Sequence, residues 1–378
     1  MKWGIPVSKI KMNTSMLDDY TSGRKNNLDV IRLGAALMVI FSHAFGLAIN
    51  WVPKVPFYKG IDNGLGFRDN NFALLGLQIF FIVSGFLITK SYMDNRDPVR
   101  FLWARFLRIF PALICVILIT TFVIGPLFTV HPLVIYLTSG PTYSYLSNIT
   151  LYGYTASLPG VFNNTALNVP LWTLKYEFTF YFVTLFLGIL TLLSRRRIVL
   201  GLFITSLVLS YLKISLSNIQ SQTTIVLTVF WLFTYFGAGM VAYLYREYIP
   251  IDARLFLFAV VILIISSLGS GLEDNLLVFF LTYIVLFIAY SPRVKLSYLT
   301  KYGDFSYGMY IWAFPLQKIV VSLVGTPINP WLMVLISFCM AFVLGGLSWH
   351  LVEKRMLKLK SVDIRQILNP KRFFFIRR

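Results

Sequence analysis

Apolar runs long enough to cross a hydrocarbon core of about 30 Å recur along the chain, at roughly 29–49, 72–92, 109–128, 171–193 and 198–216. Five more follow at roughly 223–245, 255–270, 276–290, 306–325 and 330–352, the run at 276–290 being short for a span. A weaker stretch from Leu133 to Tyr154 is interrupted by Gly140, Pro141 and several hydroxyls, and reads as a re-entrant or surface segment. The pattern predicts an all-α, polytopic membrane helical bundle of ten transmembrane helices.

Charge sets the expected orientation. With a cytoplasmic N-terminus and ten spans, one side receives Lys2, Lys9, Lys11, Arg24, Lys25, Arg96, Arg100, Arg105, Arg108, Arg195, Arg196, Arg197, Arg246, Arg254, Arg293, Lys295, Lys301 and nine basic residues after Glu353. The other side receives Lys54, Lys59, Arg68 and Lys213, and the stretch from Pro126 to Pro170 holds no Asp, Glu, Lys or Arg. Positive residues collect on the cytoplasmic side of membrane proteins, so both termini are expected inside. An eleventh span at 133–154 would scatter that asymmetry.

Composition narrows the class further. Hydrophobic residues make up 57% of the 378, charged residues 13%, and mean hydropathy is +0.73, more apolar surface than a soluble globule can bury. A formal charge of +19 in a soluble chain would suggest nucleic acid; here it belongs to topology and to anionic lipid headgroups. The tail from Asn369 to Arg378, with Phe373, Phe374 and Phe375 among basic residues, is expected at the inner interface. Cys115 and Cys339 alone cannot build a disulfide scaffold or a Cys-ligated zinc site, and His43, His131 and His350 lie too far apart in sequence to suggest a metal centre. The N-terminus lacks the features of a cleaved signal peptide, and no 20–50-residue repeat is evident. The expected organisation is a cytoplasmic segment 1–27, a membrane domain 28–353 and a basic cytoplasmic tail 354–378.

A charge at mid-bilayer costs at least about 2.5–3.5 kcal/mol, so ionisable residues inside spans mark candidate chemistry. They are Arg32 and His43 in the first span, Lys175 and Glu177 in the span from 171, and Lys318 in the span from 306, with Lys90 near enough to an end to snorkel. Arg32 and His43, eleven residues apart, share one helix face about 16 Å apart along the axis. If the span carrying Glu177 starts at the outer boundary near Leu171, Glu177 and His43 both lie about 9 Å below that boundary. A carboxylate beside an imidazole would fix the ring tautomer while the other ring nitrogen takes a proton from a hydroxyl. Against this stands a plainer reading, in which His43 is an interhelical hydrogen-bonding group and Glu177 neutralises Lys318. Arg105 and Arg108 read either as positive-inside anchors or as a phosphate clamp. Ser84-Gly85 and Gly237-Ala238-Gly239 read first as close helix packing.

Together these motifs resemble the acyltransferase-3 family of integral-membrane O-acyltransferases, over Leu28 to about Glu353. Leu28-Asp29-Val30-Ile31-Arg32 with ten residues between Arg32 and His43, Phe80 to Ile88, Arg105-x-x-Arg108 before Ile109-Phe110-Pro111, Leu171 to Tyr181 around Glu177, and Ser306 to Trp312 are similar to family signatures in the family's order. Many members carry histidine after that last Trp, where this chain has Ala313, so a mechanism needing a second histidine there is not expected. The resemblance implies an acyl-CoA donor, usually acetyl-CoA, used as a substrate with no permanently bound cofactor, and a sugar hydroxyl as acceptor, in a bacterial inner membrane. It further implies catalysis by His43 with Glu177, donor binding by Arg32, Arg105 and Arg108, and acceptor-side or supporting roles for Trp172, Tyr181, Ser84, Ser306, Tyr307 and Tyr310. A proton-coupled transporter is the rival reading, with Arg32, His43, Glu177 and Lys318 as a relay; a non-catalytic scaffold for polysaccharide assembly is a third.

Overall fold

Each predicted run forms a helix in the computed structural model, which describes residues 15–21, 23, 26–57, 71–215, 221–268 and 274–362. They are α1 (Leu28–Ile49), α2 (Phe72–Asn95), α3 (Pro98–Ile119), α4 (Leu174–Ile189), α5 (Arg196–Ser215), α6 (Ser221–Leu244), α7 (Ala253–Ser267), α8 (Asp274–Tyr290), α9 (Ser306–Val324) and α10 (Pro330–Ser348). No strand occurs among the described residues. Lys2, Lys9, Lys11, Arg24, Lys25, Lys59, Arg68 and the tail from Asn369 to Arg378 lie outside the described residues, as does the side chain of Lys213.

Local chemistry sets the helix starts. The Asp97 carboxylate accepts from the backbone N–H of Val99 at 3.0 Å and Arg100 at 3.2 Å, and Pro98 supplies the first helical position, so α3 begins about eleven residues before the expected span. Arg105 and Arg108 therefore stand on one face inside this helix rather than ahead of it. Beyond Ile119 a π-turn at Thr120–Ile124 carries the helix on to Phe128. Asn71 caps α2 through Leu74 N–H at 3.0 Å, while Ser42 of α1 accepts from Ala73 N–H at 2.8 Å, fixing the register of the antiparallel α1–α2 pair.

The stretch at 133–154 does not cross. It folds as short turns, Leu133–Thr138, Gly140–Ser144 and Tyr145–Thr150, tied to the end of α3 by the Tyr136 hydroxyl on Thr121 O at 2.7 Å.

Helix α2 is buried on nearly every side, which its uniformly apolar sequence allows, and packs against α1, α4 and α6. Two glycines let α2 and α6 touch backbone to backbone. A Cβ on Gly85 would stand 1.9 Å from Phe236 O, and one on Gly239 2.1 Å from Ile82 O. Gly85→Val is expected to cost about 1–3 kcal/mol or more by overpacking. Thermal unfolding of the detergent-solubilised protein measures this, and an unchanged melting temperature would refute the close-packing assignment.

The segment before α4 departs most from expectation. Lys318 of α9 donates to Thr165 Oγ1 at 2.7 Å, Asn168 Nδ2 donates to Ile311 O at 2.8 Å, and the Tyr310 hydroxyl donates to Pro170 O at 2.6 Å. Those partners lie twelve, five and four residues into α9, so the chain descends from about 18 Å to about 6 Å along that helix between Thr165 and Pro170. Five residues of extended backbone span such a drop. The re-entrant element is thus the non-helical stretch leading to the 3₁₀ turn Val169–Thr173, and α4 starts deep in the bundle instead of at its outer boundary.

Candidate active site

Three neighbouring cavities, each sharing lining residues with the next, follow one another through the middle of the bundle. The inner one, of about 100 Å³, is lined by Arg105 and Arg108 of α3, Tyr181 of α4, and Leu357 and Lys360 beyond α10. A middle one of about 30 Å³ shares Arg32, Phe80, Ser84, Arg108 and Glu177 with it. An outer one of about 50 Å³ shares Leu77, Thr173 and Tyr310 with the middle one and holds His43, Asn71 and Trp172.

The outer cavity is mostly apolar. The His43 ring meets the Phe314 ring edge-on at 5.2 Å between centroids, and Trp172 reaches this level because the re-entrant segment passes beside α1. Tyr310 stands at the junction of outer and middle cavities, its hydroxyl also 2.7 Å from Thr173 Oγ1, so it pins the 3₁₀ turn to α9.

Glu177 lies elsewhere than the spacing predicted. Its Oε1 accepts from Ser84 at 3.3 Å and from the Tyr181 hydroxyl, in the wall shared with Arg32 and Arg108. No hydrogen bond or ion pair joins it to His43, from which it is about three helical turns removed along the bundle. The cause is the low start of α4: six residues counted from Leu171 begin near the level of Tyr310, not at the membrane surface. Glu177 is therefore not the carboxylate that orients His43. Ser84 and Tyr181 lie with Glu177 on the inner cavities and do not line the one that holds His43.

Nor does Glu177 neutralise Lys318, whose ammonium is hydrogen-bonded to Thr165 and lies 5.7 Å from the Phe162 ring centroid. A relay through Arg32, Glu177, His43 and Lys318 is not continuous, which removes the geometric basis of the transporter reading.

Asp304, which carries no signal in any of the motifs, organises the inner half. Its Oδ2 accepts from Arg32 Nη1 at 2.5 Å and Arg108 Nη2 at 2.6 Å, and its Oδ1 accepts from Ser306 Oγ at 2.5 Å and Ser306 N–H at 3.2 Å. Burial alone would raise this carboxyl, but the guanidiniums of Arg108 and Arg32, together with Ser306, hold it well below the usual carboxylate range. The Ser306 hydroxyl is thus bonded to Asp304 and serves to hold that carboxylate. One clue was available, since Asp304 is the only acid between Ser291 and Val352. Glu353 adds a second anion, 3.7 Å from Arg108 Nη1 and held by Ser348 Oγ at 2.8 Å. Tyr307 donates to Ile109 O at 2.8 Å and places its ring under Arg108, 5.7 Å from the guanidinium carbon.

Arg105 differs from its neighbours. Its buried Nε has no hydrogen-bond partner, and its guanidinium carbon lies 5.9 Å from the centroid of the Phe101 ring. Of the three arginines expected to bind the donor, Arg32 and Arg108 are joined through Asp304, while Arg105 faces the inner cavity. Among the described residues no group of three or more His, Cys, Asp or Glu is arranged to hold a metal ion.

Residues 25–350 match the family described as "Acyltransferase domain". The chain is 28% identical to "O-acetyl transferase" of Shigella phage Sf6, the alignment covering 89% of this chain and 98% of that protein. It is also 28% identical to "Nodulation protein 10" of Rhizobium leguminosarum bv. viciae, over 91% of this chain and 96% of that one. No solved structure matches.

Proposed function

The chain belongs to the acyltransferase-3 family of multi-pass membrane acyltransferases, and from that membership we propose that it is an O-acetyltransferase, moving acetyl from cytoplasmic acetyl-CoA to a hydroxyl of an extracytoplasmic or lipid-linked saccharide in a bacterial inner membrane. The single observation that carries this reading is the succession of three cavities, each sharing lining residues with the next, from an arginine-lined inner entrance to His43. A donor with a bulky anionic end and a slender arm fits that shape. The nucleotide stays at the basic end, the arm threads the narrow middle cavity, and the thioester reaches the outer cavity. The name of the phage relative supports acetyl as the group moved.

His43 takes the proton of the acceptor hydroxyl as its oxygen attacks the thioester carbonyl. The new C–O bond forms, the C–S bond breaks, and the proton returns to the departing thiolate, releasing free CoA. Trp172 and Asn71 form the acceptor side of this cavity, and Tyr310 holds the turn that carries Trp172. Arg32, Arg108 and Glu177 make the polar wall past which the donor arm lies.

Incubating membranes with radiolabelled acetyl-CoA and following label into extracytoplasmic glycan tests the reading, and absence of label from every glycan fraction would overturn it. A second expectation concerns Glu177. Because it does not touch His43, Glu177→Gln is expected to lower the transfer rate without moving the pH midpoint of the reaction. A midpoint displaced by about one unit or more would restore the His43–Glu177 pair, since an adjacent carboxylate moves an imidazole that far.

A further inference from the structure

The chain beyond the last span does not simply trail away from the bundle. A π-turn at Trp349–Glu353 continues α10 and turns Glu353 inward onto Arg108 and Ser348. The next two turns, Lys354–Leu357 and Lys358–Ser361, lie across the inner end of α3, where Trp103 Nε1 donates to Leu359 O at 3.1 Å. This brings Leu357 and Lys360 into the lining of the inner cavity together with Arg105. Residues 354–360 contain Lys354, Arg355, Lys358 and Lys360 and no acid.

The charges around that cavity are unequally satisfied. Arg32 and Arg108 share the Asp304 carboxylate, and Arg108 also approaches Glu353. No carboxylate lies within ion-pair distance of Arg105 among the described residues, and its buried Nε is left without an acceptor. A buried guanidinium nitrogen in that condition is costly, and a group entering the cavity with negative charge and acceptor oxygens would relieve it. Phosphate esters supply both, matching the guanidinium fork and accepting from a lysine as a point charge.

We propose that the segment Lys354–Lys360 is part of the donor-binding site, with Lys360 and Arg105, which line the same inner cavity, contacting the phosphates of the nucleotide end of the acyl donor. This inference rests on the acyl-CoA reading of the preceding subsection and changes the expected phosphate contacts. Arg32 and Arg108 are held by Asp304 and shape the path, while Arg105 and the chain after α10 bind the anion.

Calorimetric titration of non-acylated CoA into the full-length protein in uncharged-lipid nanodiscs tests it without relying on turnover. Lys360→Glu is expected to weaken CoA binding by about tenfold or more and to flatten its salt dependence, since it reverses a charge facing the phosphates. Lys360→Arg should keep wild-type affinity. Lys295→Glu, an exposed charge reversal outside the cavity, should bind as wild type does. Adenosine 3′,5′-bisphosphate should reproduce the Lys360→Glu loss, locating it at the nucleotide end. CoA binding by Lys360→Glu within twofold of wild type would overturn the inference while leaving the donor reading intact. A wild-type protein that binds no CoA would overturn both.

Discussion

His43→Ala is expected to lower acetyl transfer to glycan by about 10²–10⁴-fold, the usual contribution of a positioned general base, while the melting temperature and CoA affinity stay near wild type. The pairing of readouts matters because His43 has a competing structural explanation as a helix-to-helix contact. Its ring packs on Phe314, so truncation leaves a small gap between α1 and α9, and a purely structural residue would show itself as lost stability with proportionate loss of activity. Retention of full transfer by His43→Ala in membranes containing wild-type amounts of protein would remove His43 from the chemistry. His43→Gln sharpens the comparison, because it keeps polarity and approximate size without a group able to accept a proton at neutral pH.

Asp304→Ala is expected to destabilise the folded protein by about 3–5 kcal/mol, the cost of breaking a buried ion pair by deleting one partner. One carboxylate oxygen holds guanidiniums from two helices, at 2.5 and 2.6 Å, and the same side chain ties the start of α9 through Ser306. Its removal leaves two buried cations facing each other, with only the longer contacts to Glu353, 3.7 Å from Arg108, and to the more exposed Asp29, 3.9 Å from Arg32. Asp304→Asn should also be strongly destabilised, because it preserves shape but not charge. Ser306→Ala should lose far less, about 1 kcal/mol, the worth of an ordinary hydrogen bond. Thermal unfolding of the three variants in one detergent gives the order; equal stability of Asp304→Ala and wild type would show that the two arginines need no counter-ion.

The pH dependence has a definite sign. Because Asp304 is held below the ordinary carboxylate range in the folded protein, its contribution is fully present above the unfolded value of about 4 and is lost as pH falls through the lower folded value. Between pH 5 and 8 the stability difference between wild type and Asp304→Asn should therefore be flat, and it should narrow only in strong acid.

Several features were legible from spacing alone. Ten apolar runs became ten helices because a helix satisfies its own backbone within the run, a local requirement; among the described residues five of the helices are long and apolar enough to cross a membrane. The glycines at 85 and 239 were correctly read as close packing, since a small residue inside a large apolar run has few other uses. The 133–154 stretch was correctly denied a span, its Gly, Pro and hydroxyl content being incompatible with one continuous helix.

Depth was not legible. The expected meeting of His43 and Glu177 assumed that the span from Leu171 starts at the membrane surface, and rise per residue then placed both side chains at one level. Where α4 starts is instead fixed by Lys318 on Thr165, Asn168 on Ile311 and Tyr310 on Pro170, bonds between segments more than a hundred residues apart. Asp304 and Lys360 escaped notice for a related reason. Each sits just outside a recognisable motif and acquires its partners only when α1, α3, α9 and the chain after α10 converge. The sequence by itself determined which stretches enter the membrane, because apolar length is a property of each run. Which polar groups share a cavity was decided by the tertiary structure alone, because a non-helical segment has no fixed rise and its depth follows from the distant groups that bind it.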